Sequence, residues 1–148
     1  MPYTKVYIHY VWATKNRERI LTRPLRNLLF EHIRQNAAEK KIDIVRMNGH
    51  LEHIHCLIRL HPTQSIDKIA QLLKGESAQW FNNRSGIVKI KLHWQADYFA
   101  VSISESMMPK LRMYIDNQEI HHRKKTFEEE YGEFMKRYTF LDDKQSGG

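Results

Sequence analysis

The segment GHLEHIHCLIRL, from Gly49 to Leu60, decides the fold. Successive side chains of a β-strand point to opposite faces of the sheet, so an alternating apolar pattern predicts a strand with one buried face. In this segment the apolar face is suited to packing against helices and consists of Ile54, Cys56, Ile58 and Leu60. We therefore predict a core strand over residues 52–60.

The opposite face of this strand carries two histidines. His53 and His55 are separated by one residue and share that face with Leu57 and Arg59. Two imidazoles at this spacing are close enough to share one metal ion. The alternative is a pair of half-buried polar residues on a solvated sheet face, since a chain with nine histidines contains chance pairs. The pair alone leaves both interpretations open.

Four strands and four helices are predicted outward from this segment. Alternation predicts strands over residues 4–14, 42–47, 52–60 and 98–104, with Asn48-Gly49 as turn chemistry. Apolar residues at helical spacing and capping signals predict helices. These helices begin after Thr22, after Ser65, at Pro109 (running to about residue 121) and after Thr126, where Glu129 completes a capping box.

The order strand, helix, strand, strand, helix, strand predicts an α+β fold. It is the ferredoxin-like split βαβ arrangement, with a mostly antiparallel sheet and added C-terminal helices. We expect helices on one face of the sheet and the other face free for a ligand. Residues 1–140 are expected to form one domain, and residues 141–148 a disordered tail.

Composition narrows the class of partner. The 148 residues contain 24 Lys and Arg against 17 Asp and Glu, a net charge of +7, which favours a polyanionic partner and nucleic acid first. One cysteine, Cys56, excludes an internal disulfide framework and suits a reducing compartment. Because no secretory signal and no apolar run of about 18 residues is found, we expect a cytoplasmic protein without a membrane partner.

The third predicted helix offers a candidate third ligand. In KLRMYIDNQEIHH, Tyr114 and Gln118 are four residues apart and lie on one helix face. Leu111 and Ile115 flank them as packing positions. Taken alone, Tyr114 reads as an amphipathic anchor and Gln118 as a surface residue.

Together these features resemble a known family. A His-hydrophobic-His strand followed by a helix with Tyr-x-x-x-Gln is similar to the single-tyrosine HUH transposases of the insertion-sequence-two-hundred type. The likeness extends over most of the chain, through the segments VWATK, EHIHCLI, LLKGESAQW, YFAVSISES and YIDNQEIHHRKKTFEEE.

The resemblance implies a site and a reaction. His53, His55 and Gln118 would hold Mg²⁺ or Mn²⁺, and Tyr114 would be the nucleophile. Single-stranded DNA would be cut and rejoined at element-end hairpins through a 5′-phosphotyrosine. The family also implies a homodimer in which the tyrosine helix of one subunit completes the histidine pair of the other.

Several charged residues and histidines are expected to lie outside the catalytic set. Glu52 is interpreted as a solvated charge at the strand edge. His121 and His122 stay outside the catalytic set, since cations at an exposed helix end are equally expected. Candidate DNA contacts are Lys15, Arg17, Arg19, Lys74, Arg123 and Lys124.

Three alternatives stay open. A domesticated relative would process host repeat hairpins with the same chemistry. A non-catalytic ferredoxin-like module would bind nucleic acid on its sheet face. A zinc-stabilised structural domain is disfavoured because a single cysteine provides no recognisable zinc framework.

Overall fold

The structure, a computed structural model, describes residues 2–84 and 90–137. The chain forms two compact units, Met1–Gln118 and Glu119–Gly148. The expectation of one domain over residues 1–140 stays a prediction, and the expected tail lies outside the described residues. The elements are β1 (Val6–Ala13), α1 (Arg23–Glu39), β2 (Asp43–Gly49), β3 (His53–Leu60), α2 (Ile66–Asn82), β4 (Phe99–Ile103), α3 (Met108–Asp116), α4 (Gln118–His121) and α5 (Phe127–Arg137). Two short 3-10 turns are Lys15–Arg17 and Glu105–Met107.

The sheet has four strands in the order β2-β3-β1-β4, and all three pairings are antiparallel. This order and the sequence of elements confirm the predicted α+β fold with the split βαβ arrangement. The histidine strand β3 lies inside the sheet. Val11 of β1 pairs with His55 on one side, and Asn48 of β2 pairs with it on the other.

The apolar face of the sheet packs against α1 and α2, as the alternation predicts. Tyr10 is fully buried there, and its hydroxyl donates to the carbonyl of Ile66 over 2.8 Å. Ser65 caps α2 by accepting a hydrogen bond from the backbone N–H of Lys68. Thr22 precedes α1 without a side-chain capping bond. The core of this face includes Ile8, Trp12, Leu29, Ile33, Ile54, Cys56, Ile58, Ile69 and Leu73.

The second face of the sheet is covered, so the expectation of a free face is wrong. Met108 and Ile115 of α3 pack onto Leu57 of β3. His53 and His55 are completely buried. The physical reason is that Met108 and Ile115 form an apolar stripe on α3. Burying this stripe against Leu57 removes apolar surface from water and so lowers the free energy of the fold.

Two boundaries also differ from the sequence prediction. The helix predicted from Pro109 to about residue 121 is broken, because α3 ends at Asp116 and α4 begins at Gln118. Asn48 and Gly49 form no turn but end β2, and the chain reverses over residues 50–52. A Cβ atom at Gly49 would lie 2.3 Å from the carbonyl oxygen of His53, so this strand end requires glycine for close backbone approach.

The second unit contains the predicted capping box. The hydroxyl of Thr126 accepts from the backbone N–H of Glu129 over 3.2 Å, and the Glu129 carboxylate lies 3.1 Å from that hydroxyl. This pattern confirms the start of α5. Among the described residues of both units, no helix is long and apolar enough to cross a membrane.

Candidate active site

The centre of the site is the histidine pair of β3. The rings of His53 and His55 have centroids 5.1 Å apart and lie nearly perpendicular. Each has a ring nitrogen within 4.8 Å of a ring nitrogen of the other. Strand alternation causes this arrangement, because residues two apart project from the same face.

His53 is held on both sides. Its Nδ1 lies 2.8 Å from Oε1 of Glu52, and its Nε2 lies 3.0 Å from Oε1 of Gln118. A carboxylate beside Nδ1 favours the tautomer with its proton on that nitrogen, which leaves the Nε2 lone pair for a cation. The two predicted ligands His53 and Gln118 are thus brought together.

Glu52 differs from the expectation. The sequence interpretation made it a solvated charge, yet it is only 8% exposed and directed at His53. Its other oxygen lies 3.6 Å from Nε of Arg19. The reason is its place in the β2–β3 connection, directly before the strand, where the chain reversal returns its side chain over the histidine face.

His9 is a residue of the site that sequence reasoning missed. Its Nε2 lies 2.9 Å from Nδ1 of His55, the two rings are stacked with centroids 5.1 Å apart, and His9 is buried. Alternation in β1 puts His9 on this face, but only the strand register reveals that it meets His55 rather than another side chain of β3. The second metal-ligand candidate is therefore oriented through its Nδ1, as the first is.

Tyr114 reaches the same site from α3. Its ring meets the ring of His55 edge to face, with centroids 5.7 Å apart. The side-chain amide of Gln118 donates to the Tyr114 carbonyl over 3.4 Å. The sequence spacing of four residues predicted that these two would share a face, and they do, although the helix breaks between them at Asn117.

The predicted DNA contacts fall in different surroundings. Lys15 and Arg17 form a 3-10 turn after β1, and Arg19 follows it beside Glu52. Lys74 instead donates to the backbone carbonyls of residues 95, 96 and 97 over 2.7, 3.0 and 3.3 Å. Its ammonium group holds the chain before β4 through these hydrogen bonds, and a DNA contact by Lys74 stays a prediction. Burial lowers the pKa of this ammonium, with Asp97 and then Asp67 acting in opposition.

The remaining predicted contacts, Arg123 and Lys124, belong to the second unit. In the same unit His121 and His122 approach one oxygen of the buried Glu130, with Nε2 at 3.1 and 2.7 Å. Burial lowers the pKa of His121, while Glu130 opposes that effect. The expectation of an exposed cationic helix end is wrong for His122, whose side chain is nearly buried.

The donor set fits a divalent cation. His53 and His55 supply imidazole nitrogens, and Gln118 supplies an amide oxygen close to the first of them. These ligand types suit Mn²⁺ and related ions, and oxygen ligands suit Mg²⁺. All three are neutral, so a bound ion would keep its full charge for an anionic substrate.

Comparison with known proteins identifies the family. The sequence matches the family model described as "Transposase IS200 like" over residues 2–118, which include the histidine pair, Tyr114 and Gln118. The ISDra2 transposase TnpA of Deinococcus radiodurans is 27% identical over 114 residues, which cover 74% of this chain and 81% of that protein.

Two solved structures share the fold. One is a crystal structure of a protein from Deinococcus radiodurans described as a transposase, with a TM-score of 0.64, 25% identity, and coverage of 79% of this chain and 93% of that one. The other is a REP-associated tyrosine transposase bound to a REP hairpin, with a TM-score of 0.56, 18% identity, and coverage of 84% and 71%. At 18% identity the second likeness concerns the fold alone. Since the family model spans most of the sequence, the chain belongs to the IS200-like transposases.

Proposed function

We propose that this transposase cuts and rejoins single-stranded DNA through a covalent bond between Tyr114 and a 5′ phosphate. The observation that carries the proposal is the meeting of Tyr114, His55, His53 and Gln118 on one sheet face of a family member. A tyrosine beside a cation-binding cluster is the arrangement that nucleophilic attack on a phosphodiester needs.

The cation is proposed to be Mg²⁺ or Mn²⁺. When bound, it would polarise the scissile phosphate and stabilise the leaving oxygen. The protein's own contribution is positional. Glu52 and His9 orient the two imidazoles, and burial of both rings keeps bulk water from their donor atoms.

Tyr114 would attack through its phenolic oxygen. The new bond joins that oxygen to phosphorus, and the phenolic proton passes to solvent. The bond from phosphorus to the 3′ oxygen breaks, and that oxygen takes a proton from solvent to become a 3′-OH. A free tyrosine has a pKa of about 10, so the phenol gains from positioning and from nearby positive charge. The phosphotyrosine conserves the energy of the phosphodiester, so a 3′-OH can later rejoin strands without ATP.

Hairpin-bearing single-stranded DNA is the proposed substrate. The net charge of +7 supports a polyanion, and a structural neighbour is described as bound to a REP hairpin. Lys15 and Arg17 lie in the turn after β1, and Arg19 lies beside Glu52, which contacts His53. Phosphate contacts by such residues make affinity fall steeply with salt.

A denaturing gel tests the chemistry. Single-stranded oligonucleotides that cover the flanking element end, labelled at the 5′ or the 3′ terminus, are incubated with and without Mn²⁺. We expect a metal-dependent protein adduct on the 3′-side fragment, which is lost in Tyr114→Phe while DNA binding persists. Cleavage by Tyr114→Phe would refute the nucleophile. Salt-sensitive binding without any adduct in the wild type would indicate a non-catalytic binding module.

We also propose a homodimer with composite sites. Within one chain Tyr114 already lies beside His55, so a site built within a single chain is the alternative to a composite site. Mixing Tyr114→Phe with the His53→Ala, His55→Ala double variant distinguishes them. Composite sites restore adduct formation in the mixture, whereas sites built within one chain leave it inactive.

A further inference from the structure

Asn48 occupies a position that links the histidine strand to the tyrosine helix. It lies near the end of β2, directly opposite His55 of β3. Its amide Nδ2 donates to the carbonyl of Ile115 over 2.9 Å and lies 3.2 Å from the carbonyl of Asp116. One side chain therefore connects β2, the strand paired with the histidine strand, to the residues that follow Tyr114.

The two carbonyls are ones that a helix end leaves unsatisfied. The last four C=O groups of an α-helix have no partner within the helix, and α3 ends at Asp116. The N–H of Asn117 returns to the Met113 carbonyl over 3.1 Å, which leaves the next carbonyls to outside donors. An amide N–H there also places the positive end of its dipole at the negative end of the helix dipole.

We propose that Asn48 is a positioning residue that fixes the rotation and height of the C-terminal end of α3, and with it the phenol of Tyr114, over the histidine pair. This inference rests on the proposed function for its catalytic consequence, and it concerns the arrangement within one chain, where Tyr114 lies beside His55. The apolar contacts of Met108 and Ile115 hold α3 on the sheet, but such contacts are non-directional. The amide supplies the directional contact that a reacting oxygen needs.

A second contact at the same helix end provides the control. Nε of Arg46 lies 3.3 Å from a carboxylate oxygen of Asp116, and the two side chains are 46% and 49% exposed. An exposed ion pair of this kind contributes little. Asp116→Asn removes the ion pair but leaves the carbonyl that Asn48 contacts.

The test compares Asn48→Asp, Asn48→Ala and Asp116→Asn in the full chain. Asn48→Asp keeps the shape of the side chain but turns a donor into a carboxylate that faces two carbonyls. Asn48→Ala removes the donors without adding charge and serves if the aspartate variant fails to fold. Three quantities are measured: the first-turnover rate of adduct formation at saturating DNA, the Kd for DNA, and hydrogen exchange of the α3 amides in protein free of metal and DNA.

We expect both Asn48 variants to form adduct at least about tenfold more slowly, because displacement of a reacting group by an ångström is costly. The α3 amides should exchange faster, the Kd for DNA should change less than about twofold, and Asp116→Asn should match the wild type in all three. Wild-type rates and exchange in both Asn48 variants would overturn the proposal. If the wild type forms no adduct but exchange still differs, the proposed function fails and the docking role of Asn48 stands.

Discussion

Glu52 sets the orientation of His53, because a carboxylate at 2.8 Å from Nδ1 turns Nε2 toward Gln118. Loss of such a partner typically weakens metal binding about 10- to 100-fold. We therefore expect Glu52→Ala to bind Mn²⁺ that much more weakly in a calorimetric titration. Glu18→Ala, which removes an exposed carboxylate between Arg17 and Arg19, should bind Mn²⁺ as the wild type does. Equal affinities in the two variants would show that Glu52 has no orienting role.

Gly49 and Gly75 make a matched pair of substitutions. A Cβ at Gly49 would lie 2.3 Å from the His53 carbonyl oxygen, whereas a Cβ at Gly75 in α2 would meet nothing within 4 Å. Gly49→Ala should lower the free energy of unfolding by about 1–3 kcal/mol through overpacking. Gly75→Ala should raise it by about 0.5–1 kcal/mol, since alanine is the better helix former. Urea unfolding measures both, and effects of the same sign would contradict this reading.

Of the site residues, those predicted from the sequence are the ones whose spacing within a strand or helix puts them on one face. His53 and His55 follow from strand alternation, and Tyr114 with Gln118 from the helical repeat. That the histidine pair and the Tyr114 helix would form one site was predicted from the family resemblance. His9 and Asn48 were not predicted as site residues because their roles depend on the register between strands, and Asn48-Gly49 carries the same letters in a turn and in a strand end. Glu52 was assigned to solvent because a single charge gives no sign of the chain reversal beside it.

Among the elements, α3 shows what periodicity leaves out. The apolar spacing of Leu111 and Ile115 predicted a helix and its buried side, and both are found. The break at Asn117 was not predictable from that spacing, because residues on either side keep the helical repeat. Its backbone at φ −101° and ψ 23° ends α3 and lets Gln118 begin a new turn.

The helix starts permit a controlled prediction. Ser65 accepts a hydrogen bond from Lys68 N–H at the start of α2, whereas Thr22 makes no side-chain bond at the start of α1. Ser65→Ala should therefore cost about 1 kcal/mol of unfolding free energy. Thr22→Ala, at an exposed position without a capping bond, should cost less than about 0.5 kcal/mol. Denaturant titration compares them, and an equal loss would mean that the Ser65 bond contributes nothing.

For the whole molecule, the order of elements was enough to predict the topology. A split βαβ order leaves few ways to close one antiparallel sheet, and the four strands take that arrangement. Whether the second sheet face would be covered or exposed was not predictable from the order of elements. It depends on where the chain after β4 returns, and the segment Glu105–Met107 turns α3 back over the histidines rather than away from them.

Stability of the whole fold should fall in alkali because of Cys56. Burial raises the pKa of this thiol from 9.0 to about 12. The unfolded chain therefore loses the proton first, and stability that is complete below pH 9.0 declines as pH rises toward 12. By about pH 10 the loss from this one group should reach roughly 1 kcal/mol.

Urea unfolding at about pH 8 and about pH 10 checks this sign. Cys56→Ala should show a smaller decline between the two values than the wild type, whatever its own starting stability. Burial also raises the pKa of Tyr10, with Tyr98 adding to the effect, so part of the decline should persist in the variant. An identical decline in both proteins would refute the assignment to Cys56.

The burial of Cys56 has a further use. It is the only cysteine in the sequence, and it lies in the strand that carries both histidines, with no exposed surface. An alkylating reagent can reach it only when that strand opens, so the labelling rate counts openings of the sheet at its interior strand. The labelling rate of this thiol would thus report whether a bound cation or a bound hairpin makes opening of the histidine strand rarer.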